Sequence, residues 1–238
     1  MKLEVIGFGI ENCMAAQRGG AHRVELCDNP LEGGTTPSYG LITTARKMLH
    51  IELYPMIRPR GGDFLYSEDE FEIMKADIAL CKRSGCEGIV TGLLTNDGKV
   101  DKQRTRLLTD LAYPLGVTFH RAFDRSRDPW EAMEDIIDAG CERILTSGQK
   151  KNALEGSGLI KQLIEKADDR IVIMPGSGIR ADNIGTIARL TGANEFHTSA
   201  RCIQKSKMIH HAPIDGNEEI TGVDEDEIKR MLQAYAGS

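Results

Sequence analysis

Four short segments of the chain repeat one pattern: Gly20-Ala-His-Arg-Val-Glu-Leu-Cys27, Gly85-Cys-Glu-Gly-Ile-Val-Thr-Gly92, Gly140-Cys-Glu-Arg-Ile-Leu-Thr-Ser147 and Gly192-Ala-Asn-Glu-Phe-His-Thr-Ser199. In each, a helical stretch ends, a glycine supplies a left-handed cap, and a small residue with polar neighbours leads into an apolar run. This is the αβ turn of a repeated βα unit. Between these anchors lie further β-type runs at Leu3 to Phe8, Met56 to Arg58, Val117 to Phe123 and Ile171 to Met174, each ahead of a loop and a helical pattern. Eight such units in 238 residues match a (β/α)8 TIM-type barrel, typically ~250 residues, and predict one α/β domain over 1–238. A doubly wound open sheet is the rival; the even repetition favours closure.

Helix signals agree with this order. Asp128-Pro129-Trp130-Glu131 reads as an N-cap, a proline in the first turn and a first-turn carboxylate, and Ser67-Glu-Asp-Glu70 as a capping box ahead of Phe71, Met74 and Ile78. Pro55 has no N–H for a ladder, so the third strand is expected to start at or after it. Residues from about 202 to 223 read as polar and irregular, followed by a closing helix at about 224–235.

Composition excludes some classes. A net charge of -6 without a basic cluster argues against nucleic acid as the main partner. No apolar run approaches the ~20 residues of a membrane span, and the N-terminus lacks a signal-peptide core, so no membrane partner and a cytoplasmic location are expected. The six cysteines (13, 27, 81, 86, 141 and 202) include no C-x-x-C pair. All but Cys27 read as buried reduced thiols serving as small apolar residues. The His210–His211 pair reads as solvated, and Met56 and Met174 as core filler.

Aligning the four repeats assigns faces. Val24, Ile89, Ile144 and Phe196 share one position, large and apolar, suited to packing under helices, so Glu25, Val90, Leu145 and His197 point into the barrel. Two residues on, Cys27, Gly92, Ser147 and Ser199 form a small, polar layer, as at a mouth. In the Val117 to Phe123 run, Thr118 and His120 share one face while Phe119 and Arg121 take the other. Glu4 in the first strand and Arg58 and Arg60 after the third add ionisable groups. One buried Glu or Arg is often half of a structural ion pair. Five groups (Glu4, Glu25, Arg58, His120 and His197) converging at the carboxyl end of the strands point to a functional pocket.

Two features suggest an anionic ligand. Met174-Pro-Gly-Ser-Gly-Ile179 follows the seventh strand and Ser199-Ala-Arg201 the eighth, placing Gly176, Ser177 and Ser199 where barrels hold phosphate on backbone N–H groups. Arg58 and Arg60 would add charge. His120 or His197 would serve as general acid or base, with Glu25 fixing the tautomer. No nucleophile elbow or Walker loop is present, and Lys99 and Lys102 do not fall where a barrel Schiff base needs a lysine.

The segments Val24 to Cys27, Glu32 to Ser38, Met56 to Ser67, Phe119 to Asp124, Leu145 to Gln149 and Phe196 to Ala200 together resemble the CutC copper-homeostasis family, over Leu3 to about Ala200. The resemblance implies a cytoplasmic TIM-type barrel, often oligomeric, that binds Cu(I), with Cys27 as a metal ligand; we expect a homodimer. The family positions carrying Glu25, Arg58, Arg60, His120, Arg121, Asp124 and His197 are all filled as expected. In the first strand, Ile6 stands where the family commonly has the cysteine proposed to pair with Cys27, and Phe8 stands where it has an aspartate. One thiolate makes a poor selective Cu(I) site unless another ligand joins it. Two readings therefore stand beside each other: a CutC-type copper-homeostasis protein, and an enzyme of lyase, isomerase or hydrolase type acting on a small anionic or phosphorylated metabolite. In the second, Ser147 and Asp124 join the arginines in the ligand site. A barrel that only binds a metabolite or partner is the third.

Overall fold

The computed structural model describes residues 1–210 and 219–236. β1 (Lys2–Gly7) leads to α1 (Ile10–Gly19), β2 (Arg23–Leu26) to α2 (Tyr39–Met48), β3 (Glu52–Pro55) to α3 (Glu68–Arg83), and β4 (Gly88–Thr91) to α4 (Lys102–Ala112). The second half runs through β5 (Gly116–Phe119), α5 (Pro129–Asp138), β6 (Arg143–Thr146), α6 (Ser157–Ala167), β7 (Val172–Pro175), α7 (Ile184–Thr191) and β8 (Glu195–Thr198). An antiparallel ribbon of β9 (Arg201–Gln204) and β10 (Ile220–Val223) and the helix α8 (Glu225–Ala236) complete the chain. The ribbon corrects the expectation of an irregular 202–223 segment at both its ends. His211, of the histidine pair, lies outside the described residues. No helix among the described residues is long and apolar enough to cross a membrane.

The repeated turns are built as their glycines dictate. Gly20, Gly85, Gly140 and Gly192 all adopt left-handed φ, between 77° and 96°. In three of these turns the amide after the glycine reaches back five residues: Ala21 to the Ala16 carbonyl (3.0 Å), Cys86 to Cys81 (3.2 Å) and Cys141 to Ile136 (3.2 Å). This is the Schellman bond, which sets the two end residues of each turn side by side. At the helix starts, Ser67 and Glu70 form the expected reciprocal capping box, and Asp128 accepts from the amides of Trp130 and Glu131.

The strands pair in parallel in the orders β3-β2-β1-β8 and β4-β5-β6-β7, the cyclic order of a (β/α)8 barrel. The ladder is not continuous around the ring. β3 meets β4 through a single bridge, Met56 to Val90, and β7 lies beside β8 with no ladder bond among the described residues. The physical reason is proline. The amides of Glu52 and Met56 donate to the carbonyls of His22, just before β2, and Leu26, so the odd-numbered amides of β3 face β4; Leu53 donates to the Glu87 carboxylate and Ile57 to the Val90 carbonyl. Pro55, between them, has nothing to donate. By the same alternation, Val172 and Gly176 donate to the carbonyls of Glu142, just before β6, and Thr146, and Pro175 faces β8. The third strand therefore ends on Pro55 instead of beginning there: a proline whose missing N–H falls on a weakly paired seam is no obstacle to the strand.

Val24, Ile89, Ile144 and Phe196 join the large apolar core between barrel and helices, as the alignment predicts. Inside the barrel, the layer nearest the amino ends of the strands is ionic. Arg23, fully buried, pairs with Glu4 and reaches Glu195 at 3.1 Å and Glu52 at 3.3 Å; Arg143 holds Glu195 and Glu142, each at 2.7 Å. Both guanidinium groups lie over the Tyr54 ring, 4.9 and 5.8 Å from its centroid. Gly88 makes room for that ring, since a Cβ there would stand 2.2 Å from it. This network closes the barrel from below and forms the base on which the site stands.

Candidate active site at the carboxyl end of the barrel

Above the ion layer lies a cavity of about 310 Å3 whose walls include Glu25, Met56, Arg58, His120, Leu145 and His197. That volume suits a small metabolite.

His197 on β8 sits in register with Glu4 on β1, and its Nδ1 lies 2.7 Å from Glu4 Oε1. Burial works against the Glu4 charge, yet the Arg23 guanidinium and the His197 bond outweigh it and hold the carboxyl at about 2. Glu4 is thus an ionised acceptor. The proton of His197 belongs on Nδ1, and Nε2 is left toward Glu25, whose Oε2 lies 3.8 Å away. Fixing the tautomer, expected of Glu25, falls to Glu4, because Glu4 lies at hydrogen-bond distance and Glu25 does not. Burial pushes the Glu25 carboxyl up to about 7, with Glu4 adding to the rise and His197 opposing it. For His197, burial disfavours the cation, but Glu25 and Glu4 favour it more strongly, and its pKa rises. The Cys27 thiol interacts with the Glu25 carboxyl, while the buried Oε1 has no hydrogen-bond partner among the described residues. The pair is arranged to share a proton near neutral pH.

His120 ends β5 and caps the short turn Arg121–Arg125, its Nδ1 accepting from the Ala122 amide at 3.2 Å. That bond leaves the proton on Nε2, which is buried with no protein partner among the described residues. Burial and the Arg58 charge push its pKa down to about 3. His120 therefore stands as a neutral N–H donor; the proton-moving role falls to Glu25 and His197. Because the chain leaves the strand at His120, Arg121 lines the cavity instead of pointing to the opposite face.

The other expected residues divide into those facing the cavity and those behind it. Arg58 lines it, but its Nη1 donates to the carbonyls of Glu32 and Gly34, both at 2.8 Å, and its Nη2 to that of Gly62 at 3.0 Å. It is a clamp on two loops. Arg60 lies outside the cavity, bound to Glu70 (2.6 Å) and to the Leu65 carbonyl (2.7 Å). Asp124 accepts from the amides of Ser147 and Gln149 and from Arg121 Nε at 2.8 Å, while Arg121 Nη2 donates to Ser147 Oγ at 2.9 Å. Asp124 and Ser147 thus position Arg121 from behind. Gly176 serves close packing: a Cβ there would stand 2.4 Å from Leu145 and 3.3 Å from His197. Ser177 and Ser199 line the cavity with Gly178, and among the described residues the amides of these three donate to no protein acceptor. Arg201, at the start of β9, completes the rim.

Cys27 is fully buried in the barrel interior with Tyr54, Met56 and Val90, under Ile6 and Phe8. Burial and the neighbouring Glu25 charge push its thiol well above the ordinary value. One thiol beside one thioether is a weak donor set for Cu(I). The nearby Glu4, Glu25 and His197 bring donor atoms within 4.8 Å of one another, but these are oxygen and nitrogen donors, suited to harder ions.

Sequence reasoning missed the buried Arg23, Arg143 and Glu195, and it missed Phe64, whose ring lies 4.9 Å from that of His120 and 5.0 Å from the Arg58 guanidinium carbon. The first three occupy the alignment position two residues before Glu25, Leu145 and His197, so the same face arithmetic contains them. Phe64 had no such signal beyond its place after Gly61-Gly62-Asp63.

Comparison with known proteins agrees with this architecture. A family protein CutC from Chromobacterium violaceum is 55% identical over 199 residues, covering 84% of this chain and 81% of that protein. The human copper homeostasis protein cutC homolog is 51% identical over 206 residues, covering 87% and 76%. Among solved structures, the copper homeostasis protein CutC from Streptococcus agalactiae superposes with a TM-score of 0.80 at 34% identity, over 84% of this chain and 98% of that one. Phosphoribosylanthranilate isomerase from Thermotoga maritima matches with a TM-score of 0.60 at 13% identity over the full length of both chains, which shows the shared barrel fold alone. The sequence profile of the CutC family matches residues 1–202, and the chain belongs to that family.

Proposed function

We propose that this protein is an enzyme that moves a proton on a small anionic metabolite held at the carboxyl end of the barrel. The observation that carries the reading is the line Glu4, His197, Glu25: an ionised carboxylate orients the imidazole, the imidazole faces a second carboxyl poised near neutrality, and Glu25 Oε1 has no hydrogen-bond partner among the described residues. General bases are tuned in this way. Arg121 and Arg201 supply positive charge at the rim, the amides of Ser177, Gly178 and Ser199 supply donors, and His120 Nε2–H supplies one more for a substrate oxygen. Lyases, isomerases and hydrolases all use such a set.

The test is a thermal-shift screen of phosphorylated and carboxylated metabolites, followed by turnover of the hits. Glu25→Gln is expected to bind the substrate and lose about 10²- to 10⁴-fold in rate. Undiminished turnover in that variant refutes the assignment.

A second reading comes from the copper-homeostasis names of the mouse and human relatives, and it takes Cys27, with Met56 beside it, as a Cu(I) ligand. Either reading takes the protein as cytoplasmic, without nucleic-acid or membrane partners, and as a homodimer. The exposed Ile203, Ile209 and Ile220 supply apolar surface for the dimer, whose mass light scattering reads directly.

A further inference from the structure

The repeated αβ turn builds a second feature, remote from the cavity. Its Schellman bond sets the side chains at its two ends against each other. In the first copy those residues are Ala16 and Ala21, in the third Ile136 and Cys141, and in the second Cys81 and Cys86. Cys81 is 0% and Cys86 3% exposed, and neither forms a disulfide. The two thiols interact with one another, which lowers the pKa of Cys86 and raises that of Cys81. Glu87 works against the Cys86 thiolate, and Arg46, which is paired with Glu87, favours it less strongly. Beside the turn, a surface cleft lined by Arg46, Leu80, Arg83 and Ser84 reaches to within one residue of Cys81 along the chain.

We propose that Cys81 and Cys86 form a Cu(I) site, held as a two-coordinate dithiolate. Soft thiolates select Cu(I), and two of them on one rigid turn supply what Cys27 lacks. The binding step is balanced: each thiol releases one proton, each sulfur donates one electron pair to the ion, and no electron is transferred. The product carries one net negative charge. The site is independent of the metabolite pocket, so either assignment can fail without the other.

The test is anaerobic Cu(I) competition against a colorimetric chelator, using the full chain. The double variant Cys81→Ala/Cys86→Ala places in this turn the pair that the first copy already carries, Ala16 and Ala21, and circular dichroism checks its fold. Wild type and Cys27→Ala are expected to bind one tight equivalent, and the double variant to lose affinity by about 100-fold or more, since even outer-shell changes cost up to that much. X-ray absorption of the Cu(I)-loaded Cys27→Ala protein should show two sulfur ligands and no nitrogen, a reading that does not depend on the double variant folding. Wild-type affinity in a folded double variant, loss of binding in Cys27→Ala, or a nitrogen-containing shell would each overturn the proposal.

Discussion

Replacing Glu4 with glutamine keeps the shape of the side chain, removes its charge and turns one of its two acceptor oxygens, which face Arg23 and His197, into a donor. Glu4 and Arg23 are both fully buried, and His197 Nδ1 lies 2.7 Å from Glu4 Oε1. Breaking a buried pair by removing one partner costs about 3 to 5 kcal/mol. Arg23 keeps Glu195 at 3.1 Å and Glu52 at 3.3 Å, which argues for the lower end. A second route gives the same size: holding a carboxyl at about 2 instead of 4.5 corresponds to about 3 kcal/mol of folding stability. The sign follows from the depressed pKa. The contribution is fully present above the unfolded-state value and is lost as pH falls from 4.5 toward 2. Urea denaturation of wild type and Glu4→Gln at pH 7 should therefore differ by about 3 kcal/mol, or about 6 to 12 °C in Tm for a chain of this size. At pH 3.5 the gap should narrow by about 1.4 kcal/mol. A difference below about 1 kcal/mol at pH 7, or a gap unchanged between the two pH values, would refute the account of the ion layer.

Two more predictions rest on the barrel interior. Gly88→Ala puts a Cβ 2.2 Å from a Tyr54 ring wedged beneath two guanidinium groups, and should destabilise the fold by about 3 kcal/mol in the same assay. Glu25 has the opposite pH sense to Glu4. Its raised pKa means that the folded state holds the proton more tightly, so wild-type stability falls as pH rises from 4.5 to about 7, and the raised pKa of His197 works in the same direction. Glu25→Gln cannot titrate there; between pH 5 and pH 8 the stability gap should move in favour of the variant by about 2 kcal/mol, and a constant gap counts against the burial-raised pKa of Glu25.

The four glycine-led turns carried much of the fold in the sequence, because a left-handed cap followed by an apolar run has few structural solutions. Face assignment in the even-numbered strands followed from period-two alternation, and Glu25 and His197 came with it. The odd-numbered strands were harder. Pro55 reads as a strand breaker until it is known which neighbour its missing amide would have faced, and that depends on pairing. Roles among the arginines were not legible either: Arg58, Arg60 and Arg201 look alike in sequence, and only the positions of loop carbonyls and Glu70 make two of them braces and leave the third on the rim. The neutral state of His120 likewise depends on a backbone turn that the strand-like pattern of Val117 to Phe123 conceals.

The two seams that end on Pro55 and Pro175 divide the barrel wall into two halves of four strands. Glu4, Glu25 and His197 stand on one half, and His120 and Leu145 belong to the other. A molecule that touches His197 and His120 together therefore acts as a strut between plates with few backbone bonds of their own across the joins. Occupancy of the cavity should then be felt farthest along those joins, where the Ile57 amide spans one of them. In such a wall a bound molecule would serve as a structural member, stiffening the barrel by joining its two halves.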